Sequence, residues 1–454
     1  MRHNMQDRNK ILLVAAENLL KKDEIEKVIA LLDKLHPADA ADIVSALPED
    51  YQKRIFESWD IPHAADAFQE MDEREQVDIV DLLSTPLISD ILEEMAADDV
   101  ADLLGELDKR DAERILASMN REDAKEVLSL MQHKEDTAGG IMTPEFVALR
   151  KDMTAQESIE LLREKAPSAE TIYYVFIVNR ENQLVGVISL RDLIIAKPDQ
   201  RIEEIMNPDV IYVDVDTDQE EVARIMSRYD LLALPVVDHE HHLLGIVTID
   251  DVVDVIEEEA SEDIYRLGGV TREERLDSPA IESIRNRLPW MAFNLATAFL
   301  ASSVVYLFQG SIAKLAILAV FMPIVAGMGG NMGTQTLTVT TRGIALGQLE
   351  FKEGIRVIAR QVGIGIAIGA STGLLASLVA YFTGVNPYLG LVLFLAMTIN
   401  MGVAGLAGAG IPIALRLLNQ DPALGSGVIV TTFTDVFGFL TFLGLATLMI
   451  RLLI

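Results

Sequence analysis

The chain has no cysteine among its 454 residues. That excludes disulfide staples, thiolate nucleophiles and Cys-ligated zinc or iron–sulfur centres. It is also short of basic residues, with 38 Lys and Arg against 70 Asp and Glu and a formal charge of −32. Gripping phosphate by counterion release needs cations in number, so a nucleic-acid partner is excluded. Histidine is scarce: seven occur, the last at His242. No nucleophile–base pair, phosphate-binding loop or metal-hydrolase motif occurs, so an enzyme is not expected. The shortage of charge is uneven. From Leu288 onward there are seven basic and four acidic residues, which leaves 31 and 66 in residues 1–287 and a net of −35 there. A strongly acidic soluble part precedes an apolar part.

Residues 288–308 carry no charge over 21 positions, enough for about 30 Å of helix. Residues 315–341 are uncharged, and so are the 55 residues from Gln361 to Leu415, which Gly384-Val385-Asn386-Pro387 divides. The stretch Pro422–Ile450 has one charge, Asp435. Five spans are expected, forming an all-α membrane domain over 288–454. With the acidic part inside, Arg285, Arg287, Arg342, Lys352, Arg356, Arg360 and Arg416 fall on the inner side, and Lys314 and Arg451 on the outer. The excess predicts cytoplasmic N-terminal domains and a C-terminus outside. The first 30 residues hold Asp23, Glu24 and Glu26 and no apolar core, so no cleavable leader is expected.

Within the spans, Gly365, Gly369 and Gly373, and Gly402, Gly405 and Gly408, predict close helix packing. Two clusters ask for more. One runs from Pro323 to Gln335 and contains Gly330 and Asn331; the other runs from Thr431 to Gly438 and contains Thr434 and Asp435. A carboxylate at mid-membrane costs several kcal/mol unless it meets water, a partner or an ion. No span offers a basic partner. A water-filled cation path accounts for it, and so does a protonated Asp435 hydrogen-bonded to Asn331 or a threonine.

The acidic part repeats itself twice. Apolar triplets recur every twelve residues from Ile43/Val44/Leu47 to Val127/Leu128/Met131, at offsets that put all three on one helical face. Helix-capping residues follow the triplets, among them Asp60, Asp72, Ser84, Asp108 and Asn120. No unit buries its face alone, so a small α-solenoid over 25–133 is expected. Asp42, Asp66, Asp78, Asp90 and Asp102 share one phase of the repeat, which predicts a carboxylate row, either a solvated face or a cation-binding one. A second repeat follows: Gly140-Ile-Met-Thr-Pro144 returns as Glu204-Ile-Met-Asn-Pro208, and Leu184-Val-Gly-Val-Ile-Ser-Leu-Arg-Asp192 as Leu243-Leu-Gly-Ile-Val-Thr-Ile-Asp-Asp251. These units, over 138–200 and 201–262, resemble a tandem of CBS domains, a β-α-β-β-α module that pairs into a regulatory platform. A connecting helix is expected over 263–287.

A twelve-residue helical repeat, a CBS pair, an acidic helix and five spans with Gly-Gly-Asn331 and Thr-Asp435-x-x-Gly438 resemble the MgtE family of bacterial magnesium channels. The fold implied is multidomain: α-solenoid, α/β CBS tandem, all-α membrane domain. The resemblance implies a homodimer in the inner membrane that conducts Mg2+, with Asp435 as the ligand of the entering ion and Asn331, Gly330, Gln335 and Thr434 along the pore. It also implies closure by cytosolic Mg2+. The matching carboxylates are Asp66, Asp98 and Asp102 on the helical repeat, and Asp218, Glu220, Asp230, Asp251 and Asp254 on the second CBS unit. Glu259, Glu262 and Asp263 on the connecting helix and Asp421 before the last span complete the set. Some members bind ATP at the CBS pair. Here Tyr174, Arg191 and Asp192 match, although Asp192 can equally cap the helix that follows.

Other readings are a broader divalent-cation transporter passing Co2+ or Mn2+, a CBS-bearing anion channel, and a membrane-anchored nucleotide or ion sensor. An anion path would want basic residues inside the spans, and a transition-metal path would want soft ligands; all seven histidines precede the membrane part.

Overall fold

The computed structural model describes residues 2–165, 171–270, 274, 278–348, 354–383, 386–418, 420–423 and 426–453. They form two compact units, residues 1–256 and 257–454.

In the first unit, α1 (Arg2–Leu20) and α2 (Ile25–Leu32) precede the twelve-residue repeat. The repeat itself folds as α3 (Pro37–Ser45), α4 (Glu49–Phe56), α5 (Ile61–Gln69), α6 (Glu73–Leu82), α7 (Thr85–Leu92), α8 (Ala97–Glu106), α9 (Lys109–Leu116) and α10 (Arg121–Leu130). The paired apolar positions from Ile43/Val44 to Leu103/Leu104 are buried, with Trp59, Met71, Leu83 and Met95 closing the units. The final unit departs from the pattern. Val127 is buried, but Leu128 and Met131 are 47% and 37% exposed, because no further unit follows to cover them. Each capping residue expected from the sequence stands at the start of a helix, and Asn120 accepts from the backbone N–H groups of Glu122 and Asp123.

The carboxylate row is different from the expectation. Helices α3, α5, α7 and α9 contact one another in sequence, and so do α4, α6, α8 and α10. Alternate units therefore fall in two layers. Asp42, Asp66 and Asp90 lie on one layer and Asp78 and Asp102 on the other.

The second repeat gives two three-stranded sheets. The first has β1 (Ala148–Arg150), α11 (Ala155–Lys165), β2 (Tyr174–Val178), β3 (Leu184–Ser189) and α12 (Leu190–Ile195). After α13 (Ile202–Ile205) come β4 (Val213–Asp214), α14 (Gln219–Tyr229), β5 (Ala233–Val237), β6 (Leu243–Thr248) and α15 (Ile249–Gly268). In each sheet the first strand is parallel to the second, and the second is antiparallel to the third. The pairing slips at the same place in both, at Ile177/Val178 and Val236/Val237. One apolar core runs from the solenoid into the second CBS unit, through Val213, Val222, Met226, Val247 and Val252. A separate core fills the first CBS unit around Leu149, Val175, Ile177 and Leu193.

The connecting helix expected at 263–287 is not one helix. α15 starts in the second CBS unit, ends at Gly268, and gives way to Gly269 at φ 70°. α16 (Ala280–Leu307) then begins behind Pro279. Glycine at a left-handed position ends one helix and proline starts the next.

The second unit continues with α17 (Gln309–Lys314), α18 (Leu318–Ala345), α19 (Gly354–Phe382), α20 (Pro387–Leu417), α21 (Ser426–Leu448) and α22 (Ile450–Leu453). Among the described residues four helices are long and apolar enough to cross a bilayer: Ala280–Leu307, Gly354–Phe382, Pro387–Leu417 and Gly427–Leu448. The fifth expected span, α18, has 28 residues, but Gly, Thr, Asn331 and Gln335 dilute its hydropathy. α19 and α20 approach closely. Side chains added at Gly365, Gly369 or Gly373 would run into the backbone of Met401, Thr398 or Phe394, the close approach that small residues permit in lipid. Lys352 and the Gly384-Val385 part of the expected turn lie outside the described residues; Asn386 caps α20 by accepting from Tyr388 N at 2.9 Å.

Candidate functional site

Of the carboxylates implied as metal ligands, the first unit brings three together. Asp98 and Asp102 lie one turn apart on α8, and Asp251 lies in the first turn of α15. Asp98 is buried and its Oδ1 has no hydrogen-bond partner. Burial raises its carboxyl above the ordinary range. Asp251 accepts from Thr248 Oγ1 at 2.7 Å; burial, with Asp98 and Asp250 beside it, pushes it up to about 7. Asp102 is exposed, with an edge of its carboxylate open to water. Crowding by protein, then Asp98, Glu73, Glu135 and Asp251, push its carboxyl to about 7 as well. That open edge lets solvent screen part of the repulsion. The charges acting most on these three groups are all negative. Glu135, at the end of the solenoid, and Asp250 are ligand candidates the sequence reading missed. Only their placement beside α8 reveals them, since neither shares the repeat phase.

The remaining implied ligands are spread out. Asp66 is exposed on α5, close to His63. Asp218 caps α14, accepting from Glu220 N at 3.0 Å, and Asp230 ends the same helix in the left-handed region at φ 52°. Asp254 faces outward on α15.

A second acidic group lies within the other unit. Asp263 on α15 is pushed up to about 6 by burial, then by Asp421 and Glu259, with Arg342 opposing. Arg266 bridges Glu262 and Asp421, and Asp421 Oδ1 accepts from Ala423 N at 2.7 Å.

In the membrane helices Asp435 is half-buried on α21, with no hydrogen bond or ion pair among the described residues. Asn331 and Gln335 are exposed on α18, and Gly330 is half-exposed. Thr434 is fully buried and its hydroxyl donates to Thr431 O at 2.9 Å, so in this chain it faces helix packing. The sequence reading passed over Asn400, fully buried on α20.

At the first CBS unit an open cleft is lined by Tyr173, Ser189, Leu190, Arg191, Ile194 and Ile195. Alternation along β2 turns Tyr174 to the other face, where it packs near Phe176 and Val178. Tyr173 takes the position by the cleft. Asp192 Oδ2 accepts from Ser189 Oγ at 2.6 Å, and Ser189 Oγ accepts from Asp192 N at 3.1 Å. Ser189 thus caps α12, and Asp192 orients the capping hydroxyl.

Asp33, Asp60 and His63 also place ligand atoms within 4.8 Å of one another, all of them exposed. Asp60 accepts from His63 and is held below its ordinary range, while His63 is raised. Imidazole is a borderline ligand that a hard ion does not select.

Models of three known families match four stretches of the chain. One is described as a divalent cation transporter, over residues 322–445. Another is the MgtE intracellular N domain, over 35–136. The CBS domain matches 138–199 and 202–258. The chain is 42% identical over 322 residues to the magnesium transporter MgtE of Thermus thermophilus, covering 70% of this chain and 71% of that protein. It is 34% identical over 433 residues to the magnesium transporter MgtE of Bacillus subtilis, covering 95% and 96%. Among solved structures, the cytosolic domain of the Mg2+ channel MgtE in complex with ATP is similar at 41% identity and a TM-score of 0.52, covering 54% of this chain and 99% of that one.

Proposed function

The chain belongs to the MgtE family, a family of transporters rather than enzymes, and on that premise we propose that it carries Mg2+ across the inner membrane and closes when cytosolic Mg2+ is ample. The observation that carries the gating half is the meeting of Asp98, Asp102 and Asp251, on which the strongest acting charges are other carboxylates. Clustered carboxylates with one member buried, as Asp98 is, are unfavourable without a counter-charge. Their oxygens, one of them unpartnered, are the hard donors a Mg2+ ion takes, with its remaining positions filled by water. A divalent ion bridging α8 and the start of α15 therefore favours the arrangement described here, and its loss favours separation. Because the ion binds one state preferentially, its concentration sets the population of that state. Asp263, Glu259 and Asp421 form a second place where a divalent ion would relieve repulsion.

In the membrane domain, Asp435 is the ligand of the passing ion. Mg2+ gives up its waters reluctantly and accepts outer-shell contacts from one or two carboxylates. One Asp435 from each chain of a homodimer, with Asn331 and Gln335 on α18, would hold a hydrated ion without stripping it. The N-terminal domains lie in the cytoplasm and the C-terminus outside, which the excess of Arg342, Arg356, Arg360 and Arg416 over Lys314 and Arg451 supports. The cleft at Tyr173, Ser189 and Arg191 takes ATP, which strengthens the response to Mg2+. The domain division at 25–133, 138–200 and 201–262 belongs to the same reading.

A broader divalent-cation specificity is the second reading, favoured by the description of the family model that covers 322–445. Proteoliposomes test both. Mg2+ uptake is expected to saturate, and to fall as Mg2+ on the cytoplasmic face rises from micromolar to millimolar. Uptake indifferent to cytoplasmic Mg2+ overturns the gating, and Co2+ or Mn2+ carried as fast as Mg2+ favours the second reading.

A further inference from the structure

Asn400 sits at the middle of α20 with no exposed surface. Its Nδ2 donates to Val325 O on α18 at 3.0 Å, while its Oδ1 has no partner. Burying an amide with an unmet acceptor is unfavourable, and a leucine or methionine would fill the space without that penalty. Packing therefore does not account for the residue.

Its neighbours do. A methyl added at Gly329 on α18 would collide with Asn400 Nδ2, and one at Gly438 on α21 would lie 2.7 Å from the same atom. The amide thus occupies the room that two glycines on two other helices leave free. Gly329 stands two residues before Asn331, and Gly438 stands one helical turn after Asp435. The hydrogen bond reaches Val325 two residues past Pro323, whose missing amide hydrogen leaves the Ala319 carbonyl unbonded and the turn before it easiest to bend. One side chain meets both helices that carry the ion-facing groups, close to those groups on each.

We propose that Asn400 is a positioning residue for transport: its amide fixes the axial register of α18 against α21, and with it the spacing between Asn331 and Asp435. The proposal rests on the reading of Asp435 as the ion ligand. It also gives Gly438 of the Thr-Asp435-x-x-Gly438 run a role, as the gap into which the Asn400 amide fits.

The experiment is Mg2+ flux through the full-length protein in proteoliposomes, recording both the maximal rate and the half-saturating Mg2+ concentration. Asn400→Ala is expected to raise the half-saturating concentration about tenfold, since an ångström of misplacement is enough for a loss of that order. A residue that only supports the fold would lower the amount of folded protein and leave half-saturation alone. Gly438→Ala should raise it similarly, and the two changes together should add little to either alone, because the methyl then enters vacated space. Wild-type half-saturation in Asn400→Ala, or effects of the two changes that multiply independently, overturns the proposal. If Asn400→Ala yields no folded protein, Gly329→Ala and Gly438→Ala carry the test, since each displaces the amide and keeps it. Wild-type half-saturation in both overturns it. Asp435→Ala separates the premise: retained flux there removes the ion-ligand reading, whereas abolished flux with no Asn400–Gly438 coupling removes this proposal alone.

Discussion

At the scale of the residue, charge without a nearby counter-charge distinguishes Asp435 and the Asp98, Asp102 and Asp251 group from the Asp421 group, which Arg266 bridges. Asp435→Ala should abolish Mg2+ flux while the protein stays folded, and Asp435→Asn, which keeps the shape and drops the charge, should reduce it at least tenfold by the same logic of a lone intramembrane carboxylate. Flux assays with a folding control decide it. Asp102 and Asp251 make a second prediction. Their values in the folded chain are about 7, against an ordinary 3.8. A raised value means that the folded chain holds the extra protons, so their contribution favours folding below about pH 4 and is lost as the pH rises through about 7. In chelator, amide exchange in α8 and early α15, corrected for the intrinsic pH dependence of exchange, should therefore quicken between pH 5 and pH 8. Millimolar Mg2+ should remove that acceleration, and so should Asp102→Asn with Asp251→Asn. Exchange that ignores both Mg2+ and the double variant would make these two ordinary solvated charges.

At the scale of the element, periodicity was legible and placement was not. The twelve-residue triplets announce α3 to α10, and the paired Leu-x-Gly runs announce β3 and β6, because burial of one face imposes its period on the sequence. Two layers of alternating helices leave no such trace, so the single row that the repeat predicts from Asp42 to Asp102 is two rows in the fold. Tyr174 opens β2 and packs on the face of Phe176 and Val178, whereas Tyr173 just before the strand borders the cleft, since neighbouring positions point to opposite faces. α15 ends at Gly268, inside the helix expected over 263–287, because Gly269 takes a left-handed conformation at φ 70°. The exposed stretch of α15 near Glu257 and Glu258 is the element to probe. Limited proteolysis there should be fast in chelator and slow in millimolar Mg2+, and equal K+ should not protect, since millimolar monovalent salt screens only beyond about 30 Å. Equal protection by K+ would reduce the effect to screening.

At the scale of the whole molecule, 66 acidic residues against 31 basic ones in residues 1–287 make expansion the default when no divalent ion is present. Small-angle scattering of the detergent-solubilised protein should show a smaller radius of gyration in millimolar Mg2+ than in chelator, and variants neutralised at Asp98 and Asp251 should need more Mg2+ to contract. Contraction at the wild-type concentration would move the sensing site elsewhere, first to Asp263 and Asp421. A different consequence follows from α18. It is long enough to span a bilayer, yet it is the long helix of the membrane part whose glycines, threonines and amides leave it short of the hydropathy its neighbours have. Insertion machinery reads hydropathy one segment at a time, so during synthesis α18 should fail to lodge by itself. It would be drawn into the bilayer only after α20, against which Gly333 and Thr336 pack, has emerged. A nascent chain cut after Ala345 and fused to a topology reporter should leave that reporter on the wrong side in a large share of molecules, and extension through Leu417 should correct it. The groups that make the helix useful to an ion thus make its birth dependent on sequence not yet translated.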